Sequence, residues 1–436
     1  MRELQVWDGS RHVGVFIESD AGDIDFRYDS EAPAIPVSLC LPRDGGWSPS
    51  APASFLDNLL PDNPNVRDAM RSRLHTASTD AFDLLDGVDA TGGLTFTLSP
   101  ERPRLDGPLL LATDEEIANE IGRIERAPNF WWDEDSHCRF SLGGAQGKFT
   151  LTSIDGQWFW PDAALPSTHI IKPRPKGLEH ALGIETLSMD MASACGLPCP
   201  EHGMIQARDR VAYIIERFDR RVSGGSIQRV RQEDFLQSFG RPVADKYEVG
   251  VDECLNLLQR VDPTLELCYQ WLERVAFNMS VGNSDAHAKN YSLVLDESGI
   301  RLAPVYDIVA TRFWPMFDQE LAMPLDEDCE FAEWTTPKHW ERLARRHSMD
   351  PDRVVDTARR TAGKVLAYAP RVLAGQPSSV AERLERVWRK VNESMEPIIT
   401  DGEPPVSSQT AGSYGIDPAD PMNIAMDGGP VSGMTR

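Results

Sequence analysis

The chain has 436 residues, 41% of them hydrophobic and 26% charged, which is enough for two or three units with their own cores. Its 44 lysines and arginines against 68 aspartates and glutamates give a net charge of −24, which excludes a basic surface over the whole chain for nucleic acid or anionic lipid. No apolar run reaches the roughly 20 residues of a membrane span, and no signal-peptide core opens the chain. We therefore expect a cytoplasmic protein without a membrane partner. The seven cysteines are scattered, so we expect neither disulfides nor a zinc framework.

The first hundred residues alternate short apolar stretches with turns, a pattern typical of strands, before apolar residues take helical spacing. We predict strands over 4–7, 12–17 and 24–28 and helices over 54–61, 66–74 and 82–85. A Pro-rich seam at 99–103 then interrupts the pattern. Residues 1–98 are therefore predicted to form one α+β unit.

A second unit follows the seam. Thr113, with Glu116 three residues later, forms a capping box that predicts a helix through about residue 126. We predict strands over 138–141, 149–152, 158–160, 169–172, 204–207 and 211–216. A helix over 178–194 interrupts them and ends at Gly196, a residue suited to the left-handed position after a helix. Residues 99–219 are thus predicted to form a small sheet with one long helix packed on it.

The pattern becomes helical beyond residue 219. Apolar residues from Cys268 to Met279 recur along one helix face, and Gly282 ends that helix. A two-stranded ribbon over 291–303 and further helices to about residue 396 follow. Residues 397–436 are rich in Gly, Pro, Ser and Asp and nearly lack aromatic residues, so we predict a disordered tail.

A run of small residues ending in lysine lies between two predicted strands of the second unit. It comprises Gly143, Gly144, Ala145, Gln146, Gly147 and Lys148. The run is not a Walker A motif, because Leu142 and Phe149 stand where that motif needs a glycine and a hydroxyl residue. Its backbone N–H groups and its lysine still suit phosphate oxygens, although such a run is more often an ordinary turn.

Lysine is rare in this chain. Removing eight lysines from the 44 basic residues leaves 36 arginines, so lysine at positions 148, 172 and 289 is notable. Lys172 ends an apolar strand and Glu185 lies on the helix that follows, an arrangement in which a carboxylate holds an amine against an anionic ligand. By itself, the same pair would be an ordinary surface ion pair.

The strongest functional signal is the polar loop at 283–290. Asp285 and Asn290 have the spacing of a kinase catalytic loop, in which the Asp accepts the proton of the attacking hydroxyl and the Asn holds a metal. Asp307 follows the ribbon, where the second metal-binding carboxylate belongs. Hard oxygen ligands of this kind predict Mg²⁺ together with a triphosphate. His287 has no second His or Cys nearby, so we expect it to support the loop or touch a phosphate rather than bind zinc.

With these motifs in this order, the chain closely resembles the HipA-type serine/threonine kinases, the toxins of bacterial type II toxin–antitoxin pairs, along most of residues 4–375. The resemblance rests on the segments 13–14, 36–42, 55–61, 141–148, 167–173, 216–220, 231–235, 285–290 and 304–307. It implies an α+β, protein-kinase-like fold of two lobes with an added N-terminal subdomain. Residues 1–98 would be that subdomain, 99–219 the nucleotide-binding lobe, and 220–396 the helical lobe with the catalytic loop.

The resemblance also implies the chemistry of individual residues. Asp285 would be the catalytic base, and Asn290 and Asp307 would hold magnesium. Lys172 would contact the phosphates of ATP. The whole set implied to bind ATP is Gly143, Gly144, Ala145, Gln146, Gly147, Lys148, Lys172, Glu216, Arg217, Phe218, Asp219, His287, Lys289, Asn290, Tyr306 and Asp307.

Two further roles are implied in the same way. Glu216 and Phe218 would bind adenine through their backbone, with Asp219 near the ribose. Ser141 matches the serine that members of the family phosphorylate on themselves, which ejects the loop and switches the kinase off. A phosphate at Ser141 would repel bound ATP, which supports this hypothesis.

The implied partners are a small dimeric helix-turn-helix antitoxin like HipB and a protein substrate, in some members an aminoacyl-tRNA synthetase. Contact with DNA would come only indirectly, through the antitoxin, which agrees with the acidic charge.

Two alternatives to a protein kinase toxin stay open. The first is a phosphotransferase for a small molecule, because aminoglycoside-type kinases share the Asp-to-Asn spacing. The second is a catalytically silent scaffold that stabilises an antitoxin–repressor complex.

Overall fold

The computed structural model describes residues 1–105, 107, 109–128, 131–132, 140–144, 146–162, 164–223 and 226–399. The strands are β1 Arg2–Asp8, β2 Arg11–Glu18, β3 Ile24–Tyr28, β4 Asp89–Ala90, β5 Leu94–Thr97, β6 Leu110–Leu111, β7 Phe140–Ser141, β8 Phe149–Ile154, β9 Gln157–Trp160, β10 His169–Lys172, β11 His202–Ala207, β12 Arg210–Glu216, β13 Arg220–Ser223, β14 Ser226–Arg229, β15 Gln232–Asp234, β16 Ser292–Asp296 and β17 Gly299–Leu302. The helices are α1 Ala51–Asp57, α2 Pro64–Leu74, α3 Ala81–Leu84, α4 Asp114–Arg126, α5 Ala181–Ala194, α6 Phe235–Phe239, α7 Val251–Val261, α8 Glu266–Val281, α9 Pro337–Arg346, α10 Pro351–Val372 and α11 Ser378–Asn392. Short 3₁₀-helices lie at Val243–Tyr247, Ala288–Asn290, Thr311–Phe313, Ala332–Trp334 and Glu393–Met395.

The first unit is built on an antiparallel sheet in the order β3-β2-β1-β5. Its predicted strands are confirmed, since 24–28 coincides with β3 and the other two lie within β1 and β2. Helix α1 begins three residues before its predicted start, at Ala51, with Pro52 in the first turn, where a missing N–H costs nothing. Phe16 of β2 stacks on Phe55 of α1 with 6.0 Å between ring centroids, which places this helix on the buried face of the sheet.

The second unit is an antiparallel sheet in the order β11-β12-β10-β8-β9-β6. The predicted capping box of Thr113 and Glu116 is present at the start of α4. Helix α5 begins three residues later than predicted, because His180 takes a left-handed conformation with φ 63°. It ends just before Gly196, whose φ of 85° is the left-handed geometry predicted there.

The glycine-rich loop does not close a hairpin. Strand β7, before the loop, pairs in parallel with β4, so that Ala90 lies opposite Ser141. Strand β8, after the loop, pairs instead with β9 and β10 of the six-stranded sheet. The loop therefore connects two sheets, and its N-terminal end is held by the first unit. Cys138 and Ala145 of this region lie outside the described residues.

The rest of the described chain is mostly helical, as predicted. Helix α8 ends at Gly282, whose φ is 73° and where a Cβ would lie 2.8 Å from Val387. The ribbon after it is confirmed as β16 and β17, but a third strand, β15, pairs with β16 and was not predicted. Residues 400–436 of the predicted tail lie outside the described residues.

The described part of the chain contains no helix that combines the length and the apolar character needed to cross a membrane. The six cysteines within the described residues are all free thiols.

Candidate active site

A cavity of about 480 Å³ lies where the first unit, the six-stranded sheet and the helical lobe meet. Nearly all of the sequence-predicted site residues line it. These are Gly143, Gly144, Gln146, Lys148, Lys172, Glu216, Arg217, Phe218, Asp219, Asp285, His287, Lys289, Asn290, Tyr306 and Asp307. The fold thus brings together residues that are up to 164 positions apart in the chain, from 143 to 307.

Lys172 is held between two carboxylates. It ends β10, and its ammonium lies 2.7 Å from Glu185 of α5 and 2.7 Å from Asp307. The predicted pair with Glu185 is therefore confirmed, and both of its side chains are buried. Burial lowers the pKa of Lys172, but the two carboxylates outweigh this and raise it. Lys172 in turn lowers the pKa of Asp307, so this lysine and this aspartate both stay charged.

Lys148 is a buried cation that forms no ion pair with any carboxylate of the described residues. Its ammonium donates a hydrogen bond to the Gly143 carbonyl at 2.7 Å and lies 5.3 Å from the centre of the Trp131 ring. Among the described residues, no carboxylate oxygen lies within ion-pair distance of it. Burial, and then repulsion from Lys172, lower the pKa of Lys148 to about 8. A cation in this position is stabilised by an anionic ligand that enters the cavity.

Gly144 is required by this geometry. Its φ is 95°, a region that favours glycine, and a Cβ there would lie 3.0 Å from the Lys148 ammonium. The loop can therefore pass close to the lysine only with glycine at this position.

The catalytic-loop segment begins directly after α8. Asp285 is exposed, and its carboxylate accepts a hydrogen bond from the Tyr247 hydroxyl at 2.8 Å. His287 is buried, and burial lowers its pKa, so its imidazole is neutral at pH 7. Its ring meets the edge of the Tyr247 ring at 5.0 Å. His287 thus packs within the loop and lines the cavity, and its two predicted roles, supporting the loop and touching a phosphate, stay predictions.

Asn290 and Asp307 lie side by side. The Asn290 Nδ2 donates to Asp307 Oδ2 at 3.1 Å, and the Asn290 Oδ1 accepts from the His287 backbone N–H at 3.1 Å. The amide nitrogen, not the oxygen, therefore faces the carboxylate. A cation held jointly by the two side chains would need the amide turned over, which is a rotation about one bond.

The first unit contributes to the same cavity, which sequence reasoning missed. Asp62 accepts a hydrogen bond from the Gly144 backbone N–H at 3.2 Å and pairs with Lys246 at 3.2 Å. Asn58 accepts the Lys289 ammonium at 2.8 Å through Oδ1. Burial of Asp62 raises its pKa, but Lys289 and Lys246 outweigh this and lower it. The only sequence signal for this contribution was that segment 55–61 resembles the HipA-type kinases. That resemblance did not show which residues the segment contacts.

Ser141 does not line the cavity. Its side chain is fully buried, and its hydroxyl donates to the Leu59 carbonyl at 2.6 Å. The serine is thus tied to the first unit both by this bond and by the pairing of β7 with β4.

Family models match most of the described chain. One described as HipA N-terminal domain matches residues 4–97, and one described as HipA-like C-terminal domain matches residues 140–369. The chain belongs to the HipA family.

Relatives of this HipA-family chain agree with the assignment. Y4mE of Sinorhizobium fredii is 32% identical over 364 residues, which cover 79% of this chain and 86% of the relative. The serine/threonine-protein kinase toxin HipA of Shewanella oneidensis is 28% identical over 337 residues, which cover 71% of this chain and 75% of the relative.

A solved complex of Shewanella oneidensis HipA with HipB and operator DNA shares the fold. Its matching chain superposes with a TM-score of 0.78 at 24% sequence identity, over 90% of this chain and 98% of that chain. The predicted fold class, an α+β kinase-like fold with two lobes and an added N-terminal subdomain, is therefore confirmed.

The end of β12 forms another wall of the cavity in this HipA-family chain. The Arg217 N–H donates back to the Thr168 carbonyl at 2.8 Å, while Glu216 and Phe218 on either side of it line the cavity. The Phe218 ring lies 5.4 Å from that of Tyr306 at an angle of 31°. The two rings give this wall an apolar surface suited to a flat base.

Asp219 has contacts that disfavour the predicted ribose role. Its carboxylate accepts from Arg217 Nε at 2.9 Å and from the Gly92 N–H at 2.7 Å, and it pairs with Arg220 at 3.0 Å. Asp89 of the first unit lies at the centre of the same buried cluster, which also contains Arg229. The carboxylate of Asp219 is already committed to this cluster, so its ribose contact stays a prediction that these contacts do not favour.

Gly147 was predicted to bind the cofactor, but it does not line the cavity. A Cβ at this position would lie 2.6 Å from Ile124 of α4 and 3.4 Å from Trp131. Glycine is needed here for close packing of the loop on α4. The cofactor contact of Gly147 stays a prediction that this packing does not favour. Ala145 lies outside the described residues.

Proposed function

We propose that this HipA-family chain is an ATP- and magnesium-dependent protein serine/threonine kinase that acts as a toxin. The observation that carries the proposal is the convergence of Lys148, Lys172, Asp307 and Asp285 on one cavity. Two lysines offer charge to phosphate oxygens, one carboxylate stands beside them, and a second, exposed carboxylate lies where an acceptor can enter.

ATP would lie with its phosphates under the glycine-rich loop. Lys172 would contact phosphate oxygens, and so would Lys148, which forms no ion pair with a carboxylate among the described residues. Glu216 and Phe218 would bind adenine through their backbone, with Tyr306 against the base. Asp219 would stabilise this wall through the arginine cluster.

The residues present fit magnesium. The carboxylate of Asp307 and, after its amide turns over, the oxygen of Asn290 are hard oxygen donors of the kind Mg²⁺ prefers. The ion would neutralise charge on the transferring phosphoryl group. Lys172 would keep Asp307 ionised and oriented toward this ion.

Asp285 would act as the base. It would accept the proton of the attacking hydroxyl and aim that hydroxyl at the phosphorus. Neutral, buried His287 packs next to it and holds the loop in place.

Self-phosphorylation at Ser141 is part of the proposal. Because Ser141 is fully buried, its loop would first have to leave Leu59 and strand β4. A phosphate there would keep the loop out of the site by charge and by size. Phosphopeptide mass spectrometry of ATP-treated protein that finds Ser141 unmodified would remove this part.

The proposed partners are a HipB-like helix-turn-helix antitoxin and a protein substrate such as an aminoacyl-tRNA synthetase. The structural relative was solved with HipB and operator DNA. The net charge of −24 supports contact with DNA through the antitoxin rather than directly.

Transfer of phosphate from radiolabelled ATP tests the proposal. Purified full-length chain and its Asp285→Ala variant are incubated with Mg²⁺ and, in turn, dephosphorylated casein, aminoacyl-tRNA synthetases and aminoglycosides. We expect Asp285-dependent label on protein. Label only on small hydroxyl compounds would replace the protein-kinase role, and ATP binding without any transfer would favour the scaffold.

Growth on induced expression tests the toxin role. We expect the active chain, but not Asp285→Ala, to arrest growth, and co-expression with a helix-turn-helix protein from the same operon to restore it. Arrest by both variants alike would contradict a role for the kinase reaction.

A further inference from the structure

Tyr247 is held against the proposed catalytic carboxylate. It ends the 3₁₀-helix Val243–Tyr247, and its hydroxyl donates to Asp285 at 2.8 Å. The preceding residue, Lys246, pairs with Asp62 at 3.2 Å, and the Tyr247 ring meets the edge of His287 at 5.0 Å. The phenol is therefore fixed by the first unit on one side and by the catalytic loop on the other.

This contact has the geometry of an acceptor hydroxyl. A general base must lie within hydrogen-bond reach of the proton that it removes, and 2.8 Å meets this condition. Within the described residues, Tyr247 is the one side chain that donates to the Asp285 carboxylate. Both side chains are exposed, Tyr247 by 50%, so they lie at the open end of the cavity where an acceptor would enter.

We propose that Tyr247 accepts a phosphoryl group from ATP bound in its own chain, and so is a modification site separate from Ser141. This inference rests on the proposed kinase function. The Tyr247 oxygen forms a bond to the γ-phosphorus, and the bond from that phosphorus to the β–γ bridging oxygen breaks. The phenol proton passes to Asp285, and ADP leaves with the electron pair of the broken bond.

Accessibility separates Tyr247 from Ser141. Ser141 is fully buried and bonded to Leu59, so its loop must move before it can react. Tyr247 already contacts Asp285 and requires no such movement. We therefore expect Tyr247 to be modified before Ser141 when both are modified.

The product would not stay in place. A phosphate on Tyr247 adds about −1.5 to −2 charges beside the Asp285 carboxylate, and like charges repel. The 3₁₀-helix would then move away and weaken the pair between Lys246 and Asp62. Each chain would take up a single phosphate at this position.

Peptide mapping by mass spectrometry tests the proposal on the full-length chain. Wild-type protein is incubated with ATP and Mg²⁺, with dephosphorylated casein in the same tube, and sampled over time. We expect phosphate on the Tyr247 peptide, with a rate per molecule that does not depend on protein concentration. Asp285→Asn should lose this modification. Tyr269→Phe, which removes a phenol hydroxyl bonded to the Asp350 N–H outside the cavity, should keep it.

The outcomes separate this inference from the function on which it rests. Phosphate found on casein or on Ser141, with Tyr247 unmodified, overturns the inference but not the proposed kinase function. Tyr247 would then only position Asp285. A rate that rises with protein concentration overturns transfer within one chain. If no phosphate is found on any protein, both the inference and the proposed kinase function are overturned.

Discussion

Two clusters of buried charge lie near the same cavity, and they differ in what they leave unpaired. In the first, Asp89 is fully buried and pairs with Arg217, Arg220 and Arg229 at 3.3, 3.0 and 3.0 Å. In the second, Lys172 pairs with two carboxylates, but the side chain of Asp307 is 47% exposed toward the cavity. Each charged group of the first cluster pairs with an opposite charge within the protein, whereas the second leaves a charged group open to a ligand.

The difference shows that burial and charge alone do not identify a functional site. Asp219 and Asp307 are both acids beside basic residues near the cavity, and sequence reasoning assigned both to ATP. The contacts separate them, because Asp219 is closed off by Arg217 and Gly92 while Asp307 keeps an exposed face. Variants in the two clusters should therefore fail in different ways, one in folding and the other in chemistry.

The largest expected effect is at Asp285, the exposed acid of the cavity. Asp285→Ala should lower turnover by about 10³-fold or more, because it removes both the base and the group that orients the acceptor. ATP binding should stay nearly normal, since the Asp285 carboxylate bonds to Tyr247 and pairs with neither of the lysines proposed to contact phosphate, Lys148 and Lys172. Transfer rates and ATP affinity measured on the same preparation check this, and near-normal phosphorylation would contradict the assignment.

Removing a charge from the Asp89 cluster should lower the stability of the fold. Asp89→Asn leaves three arginines around a neutral amide and should lower the free energy of unfolding by about 3–5 kcal/mol. Urea denaturation measures this. The matched control is Asp209→Asn, the same change at a side chain that is 83% exposed, and it should lower stability by less than about 0.5 kcal/mol. Equal effects of the two variants would show that the cluster contributes nothing.

Removing the charge of Asp307 from the Lys172 cluster should lower the rate of phosphoryl transfer. Asp307→Asn keeps the shape of the side chain but removes the charge proposed to hold magnesium, so transfer should fall by about 10²-fold or more. The Mg²⁺ concentration for half-maximal transfer should rise in parallel. Its unfolding free energy should change much less than that of Asp89→Asn. If Asp307→Asn lost much stability but kept a normal rate of transfer, the proposed difference between the two clusters would be wrong.

Glu233 provides a third case, a buried acid with no cation partner among the described residues. Its Oε1 accepts from the Leu39 N–H and the Ser238 hydroxyl, and burial raises its pKa from 4.5 to about 7. Between these two values the folded chain binds more protons than the unfolded chain, so stability falls as pH rises through this window.

Glu233→Gln should remove that dependence. Relative to the wild type, the variant should gain up to about 3 kcal/mol between about pH 4 and about pH 8. Urea denaturation at several pH values, with both proteins side by side, measures the difference. If the free energies of unfolding of the two proteins changed with pH in parallel, Glu233 would be ionised at neutral pH.

The smallest expected effect is at Asp62, where the first unit holds the glycine-rich loop. Asp62→Asn keeps an acceptor for the Gly144 N–H but loses the charge that pairs with Lys246. The KM for ATP should rise by about tenfold or less, the size of one lost partly buried contact, with kcat changed less. An unchanged KM would mean that the loop holds its position without the first unit.

Much of the fold followed from local patterns. Short apolar stretches placed β3 and β10, the capping box placed α4, and glycine placed the end of α8. Strand β15 was missed because its three residues are too short for a period to show, and only the pairing with β16 makes it a strand.

The candidate site divides in the same way. Lys172, Asp285 and Asp307 stand in motifs whose order carries information, so the sequence could nominate them. Asp62 and Tyr247 stand in no motif, and their contacts join positions 82 and 38 residues apart. Contacts of this kind depend on how whole units pack, which the spacing along a chain does not reveal.

The involvement of residues 58–62 has a consequence for synthesis of the protein. The cavity closes only when this early segment meets Lys289, and Asp307 must also be in place. A ribosome adds residues from the N-terminus onward, so a nascent chain that ends before Asp307 cannot enclose the site. The complete pocket can therefore form only after Asp307 has been synthesised, whereas helices α9, α10 and α11 of the helical lobe follow later in the chain.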